Sequence, residues 1–290
     1  MRCSVILPAA GRGSRFVASG AAASSKIEFE LEGRAVFLRS IDLFRGRPEV
    51  EQIILAVDPT RFDEFVFRWG EALAFLNVDV VRGGTKERWE TVAEALKHVH
   101  EDATHVAVHD AARPATATVM IDRVFASAEA CDAVIPGLPV ADTLKRVDAE
   151  AGAGDGQAVD RVDDILGLKR GDADRALVAD GGPLGQVCLG HVLETVLREG
   201  LVAVQTPQVF RAEPFRAAYE DHRALAGVTD DASLLERRGV AVTVVEGDPG
   251  NLKLTRAADA EILSALLRYR DAEAKQADAV NDLFGDDDDE

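Results

Sequence analysis

Cysteine is scarce in this sequence of 290 residues: Cys3, Cys131 and Cys188 stand far apart and never form a C-x-x-C pair. That excludes a disulfide framework and argues against a structural zinc site, and it fits a reducing compartment. Positive charge is also short, with 33 Lys and Arg against 51 Asp and Glu, for a formal net charge of −18. So acidic a chain has no field to hold a nucleic-acid backbone or an anionic membrane surface. Five of the acids sit at 286–290, and the body is acidic without them. No apolar run approaches membrane-spanning length, and the first one is cut by Pro8 and Gly11, too short for a signal-peptide core. The expectation is a soluble, cytoplasmic protein. There is no internal repeat and no G-x-S-x-G elbow, so a serine nucleophile has no support.

What is present is a large apolar fraction, 47% of the chain, enough for a sizeable core. Apolar runs at 5–7, 53–57, 78–81, 106–108 and 133–135 read as buried strands. Between them, 35–44, a stretch opened by Pro59 and running through Trp69, 91–99 and 119–130 carry apolar residues at helical spacing. Strands alternating with helices predict an α/β fold, a mainly parallel sheet with helices on both faces. Ligands of such sheets lie beyond the carboxyl ends of the strands. The pattern loosens after Lys145, and 148–156 reads as an exposed loop. It resumes after Leu201 with helices at 213–225 and 230–238, a strand at 240–245 and a helix from 257 to about 270. Residues from 271 on read as a solvated, disordered acidic tail.

Three loops should share the mouth of this sheet. The first, Pro8-Ala9-Ala10-Gly11-Arg12-Gly13-Ser14-Arg15 with Lys26 beyond it, begins where the first strand is expected to break. Its small residues let backbone N–H groups approach a ligand, and its basic residues suit phosphates; a tight turn with incidental arginines explains it as well. It is not a dinucleotide fingerprint, because Phe16 stands at the third glycine, and no Gly-Lys-Ser/Thr makes it a P-loop. The second, Gly83-Gly84-Thr85-Lys86-Glu87-Arg88 before Thr91, would open a helix with free N–H groups for an anion or a base edge, or form a plain turn and N-cap. The third, His109-Asp110-Ala111-Ala112-Arg113-Pro114, offers a carboxylate for Mg²⁺ or a ligand hydroxyl and a planar fork for phosphate; a turn held by an Asp–Arg pair is the simpler alternative. Asp230 or Thr229 capping a helix explains Thr229-Asp230-Asp231-Ala232-Ser233 completely. Lys253, between Leu252 and Leu254, is placed by alternation opposite an apolar face. Of the six histidines only His105 and His109 have suggestive spacing, and solvated or core roles suit them better than zinc.

Taken in order, these segments, with Asp142-Thr143-Leu144-Lys145, Gln205-Thr206-Pro207-Gln208 and Asn251-Leu252-Lys253, resemble the 2-C-methyl-D-erythritol 4-phosphate cytidylyltransferase family of the non-mevalonate isoprenoid pathway. The resemblance spans about 3–268, with a gap at about 148–195. It implies a Rossmann-like nucleotidyltransferase domain over 1–270 with a protruding arm at about 141–200, and a homodimer. It also implies the reaction: CTP and the sugar-alcohol phosphate give the CDP-linked alcohol and pyrophosphate, with Mg²⁺ as cofactor and no covalent enzyme intermediate.

Residue by residue, the resemblance gives Arg15, Lys26 and Lys253 the CTP phosphates and the transition state. It gives Ala9, Ala10, Gly11, Gly13, Gly83 and Thr91 the cytidine, and Asp110 the metal or the ribose. Arg113, Thr143 and Thr206 would face the acceptor, and Arg198 would reach the neighbouring subunit's acceptor phosphate, with Arg161 as a rival. Arg12 receives no role. The chain departs from the family pattern at Ser25 and Ile27, which flank Lys26 where Pro and Gln are usual, and at Thr91, which stands for a Ser. Two other readings are a cytidylyltransferase for another polyol phosphate, such as ribitol 5-phosphate, and a binding protein that kept the fold and lost the chemistry. The presence of both Arg15 and Lys26 speaks against the second.

Overall fold

The computed structural model describes residues 1–11, 16, 25–148, 191–220, 228 and 230–284, with side chains described as far as 273. The chain divides into two compact units, Met1–Leu138 with Val204–Glu290, and Pro139–Ala203. The first begins with β1 (Cys3–Ala9), the short pair β2 (Glu30–Leu31) and β3 (Arg34–Ala35), and α1 (Val36–Asp42). Then come β4 (Val50–Val57), α2 (Phe62–Phe75), β5 (Val78–Arg82), α3 (Arg88–Leu96), β6 (His105–Val108), α4 (Thr118–Ala128) and β7 (Ala133–Pro139). The second unit holds an antiparallel pair of β8 (Leu144–Asp148) and β9 (His191–Val196), and β10 (Val202–Val204) lies at the sequence boundary. The chain returns through β11 (Gln208–Arg211), α5 (Ala212–Glu220), α6 (Ala232–Arg237), β12 (Val242–Glu246) and α7 (Ala257–Phe284).

In the first unit the sheet runs β7-β11-β6-β1-β4-β5, with β12 beside β7. β1 pairs in parallel with both β4 and β6, while β11 is antiparallel between β6 and β7. The expected mainly parallel sheet is present. Its central strand is buried on both faces, and alternation sorts its side chains. Val5 and Leu7 join α1, α2 and α4 in one core layer. Ile6 joins α3, α5 and α6 in the other. A third cluster, including Leu31, Val36, Ala112, Leu254 and Leu263, ties α7 to the loop after β6.

Several element ends differ from the sequence expectation. β1 does not break at Pro8: Pro8 and Ala9 stay in register with Ala56 and Val57. The Ile6 carbonyl accepts the His109 N–H at 2.9 Å, so Pro8, two residues on, turns its nitrogen to the same side. β6 has already ended there, and no ladder bond is lost. α2 starts at Phe62 because Asp58 turns the chain first, accepting the Thr60 N–H at 2.8 Å. α3 starts three residues early, at Arg88, because Glu87 and Glu90 form a reciprocal cap. α7 continues to Phe284 instead of ending near 270, so the expected disordered tail is helical over 271–284. Residues 285–290 lie outside the described residues, as do 149–190. β8 and β9 escaped the sequence reading because every residue in them except Leu144, Asp148 and Val196 is exposed, which leaves no buried alternation to see.

Candidate active site

The ends of β1, β5 and β6 open into one cleft of about 610 Å³. Ala9, Ala10, Lys26, Arg88, Asp110 and Lys253 are among the residues that line it. Three loops read from the sequence thus meet at one mouth, and the segment around Lys253 joins them. That segment is not a strand. The Leu254 N–H donates to the Ala112 carbonyl at 2.8 Å, and the buried Leu254 anchors it, which leaves Lys253 at the cleft.

One wall is built by close packing. A Cβ on Gly83 would lie 2.8 Å from Thr91 Cγ2 and 2.9 Å from Ala10 Cβ, so this position requires glycine for the first and second loops to touch. The Thr91 hydroxyl accepts the Gly84 N–H at 3.1 Å. The expected free N–H groups of the second loop are not free. Glu90 Oε2 accepts from Thr85, Lys86 and Glu87 at 3.1, 2.9 and 3.4 Å. These backbone donors, that of Lys86 foremost, hold the Glu90 carboxyl below its ordinary range. The loop is therefore shaped by its own acid, because an uncapped helix start would leave orphan donors.

At the centre stands Asp110, 8% exposed. Lys253 Nζ lies 2.7 Å from Oδ2, Arg113 Nε 3.5 Å from the same oxygen, and Arg88 Nε 3.4 Å from Oδ1. Burial opposes the charge on Asp110, but Lys253, Arg88 and Arg113 together outweigh it and hold the carboxyl far below its ordinary range. Arg88 is fixed on its other edge by Asp231, Nη1 to Oδ2 at 2.6 Å. Burial opposes the Arg88 charge too, and Asp231 and Asp110 reverse that effect. The site thus holds a carboxylate whose charge is favoured by Lys253, Arg88 and Arg113.

Arg113 and Thr206 are placed differently from the expectation that they face an acceptor. The Thr206 hydroxyl is 6% exposed, accepts the Asp110 N–H at 3.0 Å and meets His109 Nδ1 at 3.2 Å. Arg113 donates to the Asn251 carbonyl at 2.5 Å besides facing Asp110. Asn251 Nδ2 in turn donates to the Thr206 carbonyl at 2.8 Å. Both side chains brace the loop that carries Asp110. His105 and His109 are buried and hydrogen-bonded to the Ala128 and Arg113 carbonyls, the core role expected of them.

Arg15 and Gly13, with Arg12, lie outside the described residues, and so do the rival Arg161 and the capping candidate Thr229. Thr143 and Arg198 belong to the second unit and are exposed there; Arg198 donates to the Ala141 carbonyl. Sequence reasoning missed Arg88, Asp231, Tyr219 and Glu90 as members of the site. Arg88 and Asp231 stood inside quoted motifs, but turn and cap explanations concealed them. Tyr219 carried no signal.

The family model described as IspD, 2-C-methyl-D-erythritol 4-phosphate cytidylyltransferase, matches residues 3–164 and 183–269. The unmatched stretch is therefore 165–182, shorter than the expected gap at about 148–195. A relative from Acidobacterium capsulatum with that name is 34% identical, over 93% of this chain and 99% of its own. One from Frankia casuarinae is 36% identical, over 92% and 81%. The crystal structure of the Thermus thermophilus enzyme of the same name superposes with a TM-score of 0.64 at 26% identity, covering 92% of this chain and all of that one. The extent of the family match and the identity to complete relatives agree with the loop order that converges on the cleft, and the chain belongs to the 2-C-methyl-D-erythritol 4-phosphate cytidylyltransferase family.

Proposed function

We propose that this protein transfers CMP from CTP to 2-C-methyl-D-erythritol 4-phosphate and releases pyrophosphate. The observation that carries this reading is the cleft itself: Lys26, Arg88 and Lys253 around Asp110, beside a wall of Gly83, Ala10 and Thr91. An acidic protein that gathers cations at one strand-end mouth favours a polyanionic ligand there. A phosphate oxygen of the acceptor attacks the α-phosphorus of CTP, and the bond from that phosphorus to the bridging oxygen of the β-phosphate breaks. Negative charge is crowded at phosphorus throughout, so the protein contributes positioning and charge stabilisation more than proton transfer.

In this reading Lys26 and Lys253, with Arg15, hold the phosphates. Ala9, Ala10, Gly11, Gly13, Gly83 and Thr91 seat the cytidine, where the small residues admit a flat base. Arg113 and Thr206 act beneath the acceptor by holding the Asp110 loop; Thr143 is an acceptor-binding candidate, and Arg198 one for the neighbouring subunit's acceptor phosphate. Asp110 would hold Mg²⁺. Among the described residues no three His, Cys, Asp or Glu side chains gather as a metal cage. One ionised carboxylate fits Mg²⁺, which binds through one or two carboxylates and substrate phosphates. The bound ion would supply further neutralisation of phosphate charge.

A homodimer built through the arm is part of this proposal. In the second unit Val192, Leu193 and Leu197 are 60, 62 and 79% exposed, and these apolar side chains would be covered by a partner. No helix among the described residues is long and apolar enough to cross a membrane, and with the few cysteines this favours the cytoplasm.

A pyrophosphate-release assay with CTP and either methylerythritol phosphate or ribitol 5-phosphate tests the reading. Faster turnover is expected with the first; faster turnover with the second overturns the choice of acceptor, and none with either overturns the chemistry.

A further inference from the structure

Asp231 directly precedes α6, where an aspartate ordinarily caps the helix. Its side chain makes no capping hydrogen bond. That task falls to Asp230, whose Oδ1 accepts the Ser233 N–H at 3.3 Å. Asp231 is fully buried, and its two oxygens are otherwise employed. Oδ1 accepts from the Tyr219 hydroxyl at 2.5 Å and Oδ2 from Arg88 Nη1 at 2.6 Å. Asp110 is divided in the same way, with Arg88 at Oδ1 and Lys253 and Arg113 at Oδ2. A line of alternating groups thus runs Tyr219, Asp231, Arg88, Asp110, Lys253, from a buried helix face to the cleft.

A buried carboxylate is costly to keep, and a pair of apolar residues would fill the space behind α3 as well. The line has a consequence that packing lacks. Arg88 lines the cleft, and a guanidinium binds phosphate by presenting two N–H groups in one plane. Asp231 occupies Nη1 and turns Nε towards Asp110. We infer that Arg88, held from behind by Asp231 and Tyr219, is a positioning residue that orients the Asp110 carboxylate and is itself kept off the incoming triphosphate. The inference rests on the reading of the cleft as the CTP site.

The test is kinetic, with folding checked by circular dichroism and thermal melting. Asp231→Asn keeps the shape and removes the charge. It is expected to lower kcat about 10- to 100-fold, while KM and the calorimetric Kd for CTP stay level or fall, since a released Arg88 grips phosphate. Tyr219→Phe should lower kcat by a smaller factor, about three- to tenfold. Once Arg88 is replaced, Asp231 has nothing left to hold, so Arg88→Met with Asp231→Asn should be no slower than Arg88→Met alone. A purely structural brace predicts the opposite: lower melting temperatures, wild-type kcat wherever the protein is folded, and additive losses. Wild-type kcat in Asp231→Asn, or a double variant slowed by the full Asp231→Asn factor, overturns the inference. Where Asp231→Asn does not fold, Tyr219→Phe decides, and an unchanged kcat there overturns it. A wild-type protein that releases no pyrophosphate overturns the functional reading instead, which separates the two failures.

Discussion

The ammonium of Lys253 lies 2.7 Å from Oδ2 of Asp110, and the two groups neutralise each other at the mouth of the cleft. Lys253 is 36% and Asp110 11% exposed at the side chain, so a ligand reaches the lysine more readily than the carboxylate. Arg113 Nε, 3.5 Å from the same oxygen, is the second cation on that edge of the carboxylate.

The two cleft lysines should respond differently to removal. Lys253→Met deprives the phosphates of a charge and Asp110 of its nearest partner, so kcat is expected to fall at least about 100-fold. Lys26→Ala should nearly abolish turnover, while CTP affinity measured by calorimetry weakens by a smaller factor, since a group that acts on the transition state contributes more there than in the ground state. Unchanged turnover in Lys26→Ala would remove that residue from the mechanism.

Two glycines of the site should separate fold from ligand. At Gly83 a Cβ would meet Thr91, Ala10 and, at 3.1 Å, the Val57 carbonyl, so Gly83→Ala overpacks the wall. A loss of about 1–3 kcal/mol in unfolding free energy is expected, with a raised KM for CTP. At Gly11 a Cβ would have nothing within 4 Å among the described residues, so Gly11→Ala should leave the urea midpoint unchanged. It should still raise KM for CTP, because the added methyl would stand where the ligand is proposed to approach. A stable Gly83→Ala with wild-type KM would show that the loops can part without cost.

The sheet was legible because its central strands, β1, β4 and β6, are largely buried on both faces and its helices carry one apolar stripe, and those are patterns a single chain displays. The mouth was legible for a related reason. Gly83 and Asp110 stand just past strand ends, where residue type reports local need, and Lys253 was marked by its two leucine neighbours. Glu90 and Arg88 were opaque, since a cap and an ion pair look alike in sequence to any acid and base on a helix surface. Asp231 was hidden by its neighbour: capping by Asp230, which the structure contains, explained the whole segment, and only the orientation of the Asp231 carboxylate reveals its ion pair with Arg88. The exposed strand pair of β8 and β9 had no buried face to betray it.

His109 should impose a pH dependence on stability that is distinct from that of the carboxylates. It is fully buried; its Nε2 faces the Arg113 carbonyl at 3.2 Å and its Nδ1 the Thr206 hydroxyl at 3.2 Å. The Thr206 oxygen already accepts from Asp110, so its own proton serves Nδ1, and a single ring proton at Nε2 satisfies every partner. Burial, only partly opposed by Asp110, pushes the His109 pKa down to about 4 from an ordinary 6.5. Between those values the unfolded chain binds a proton that the folded one refuses, so stability is complete above about pH 6.5 and falls as pH drops towards about 4. The full loss is on the order of 3 kcal/mol. Asp110, whose folded pKa is depressed, contributes stability that is lost only as pH falls below its ordinary value of 3.8, so the windows do not overlap. Urea midpoints measured from about pH 7.5 to about pH 4.5 should therefore decline for the wild type and stay flatter for His109→Gln. Parallel slopes in the two proteins would mean that His109 is protonated in the folded state, and that a rearranged Thr206 accepts from it.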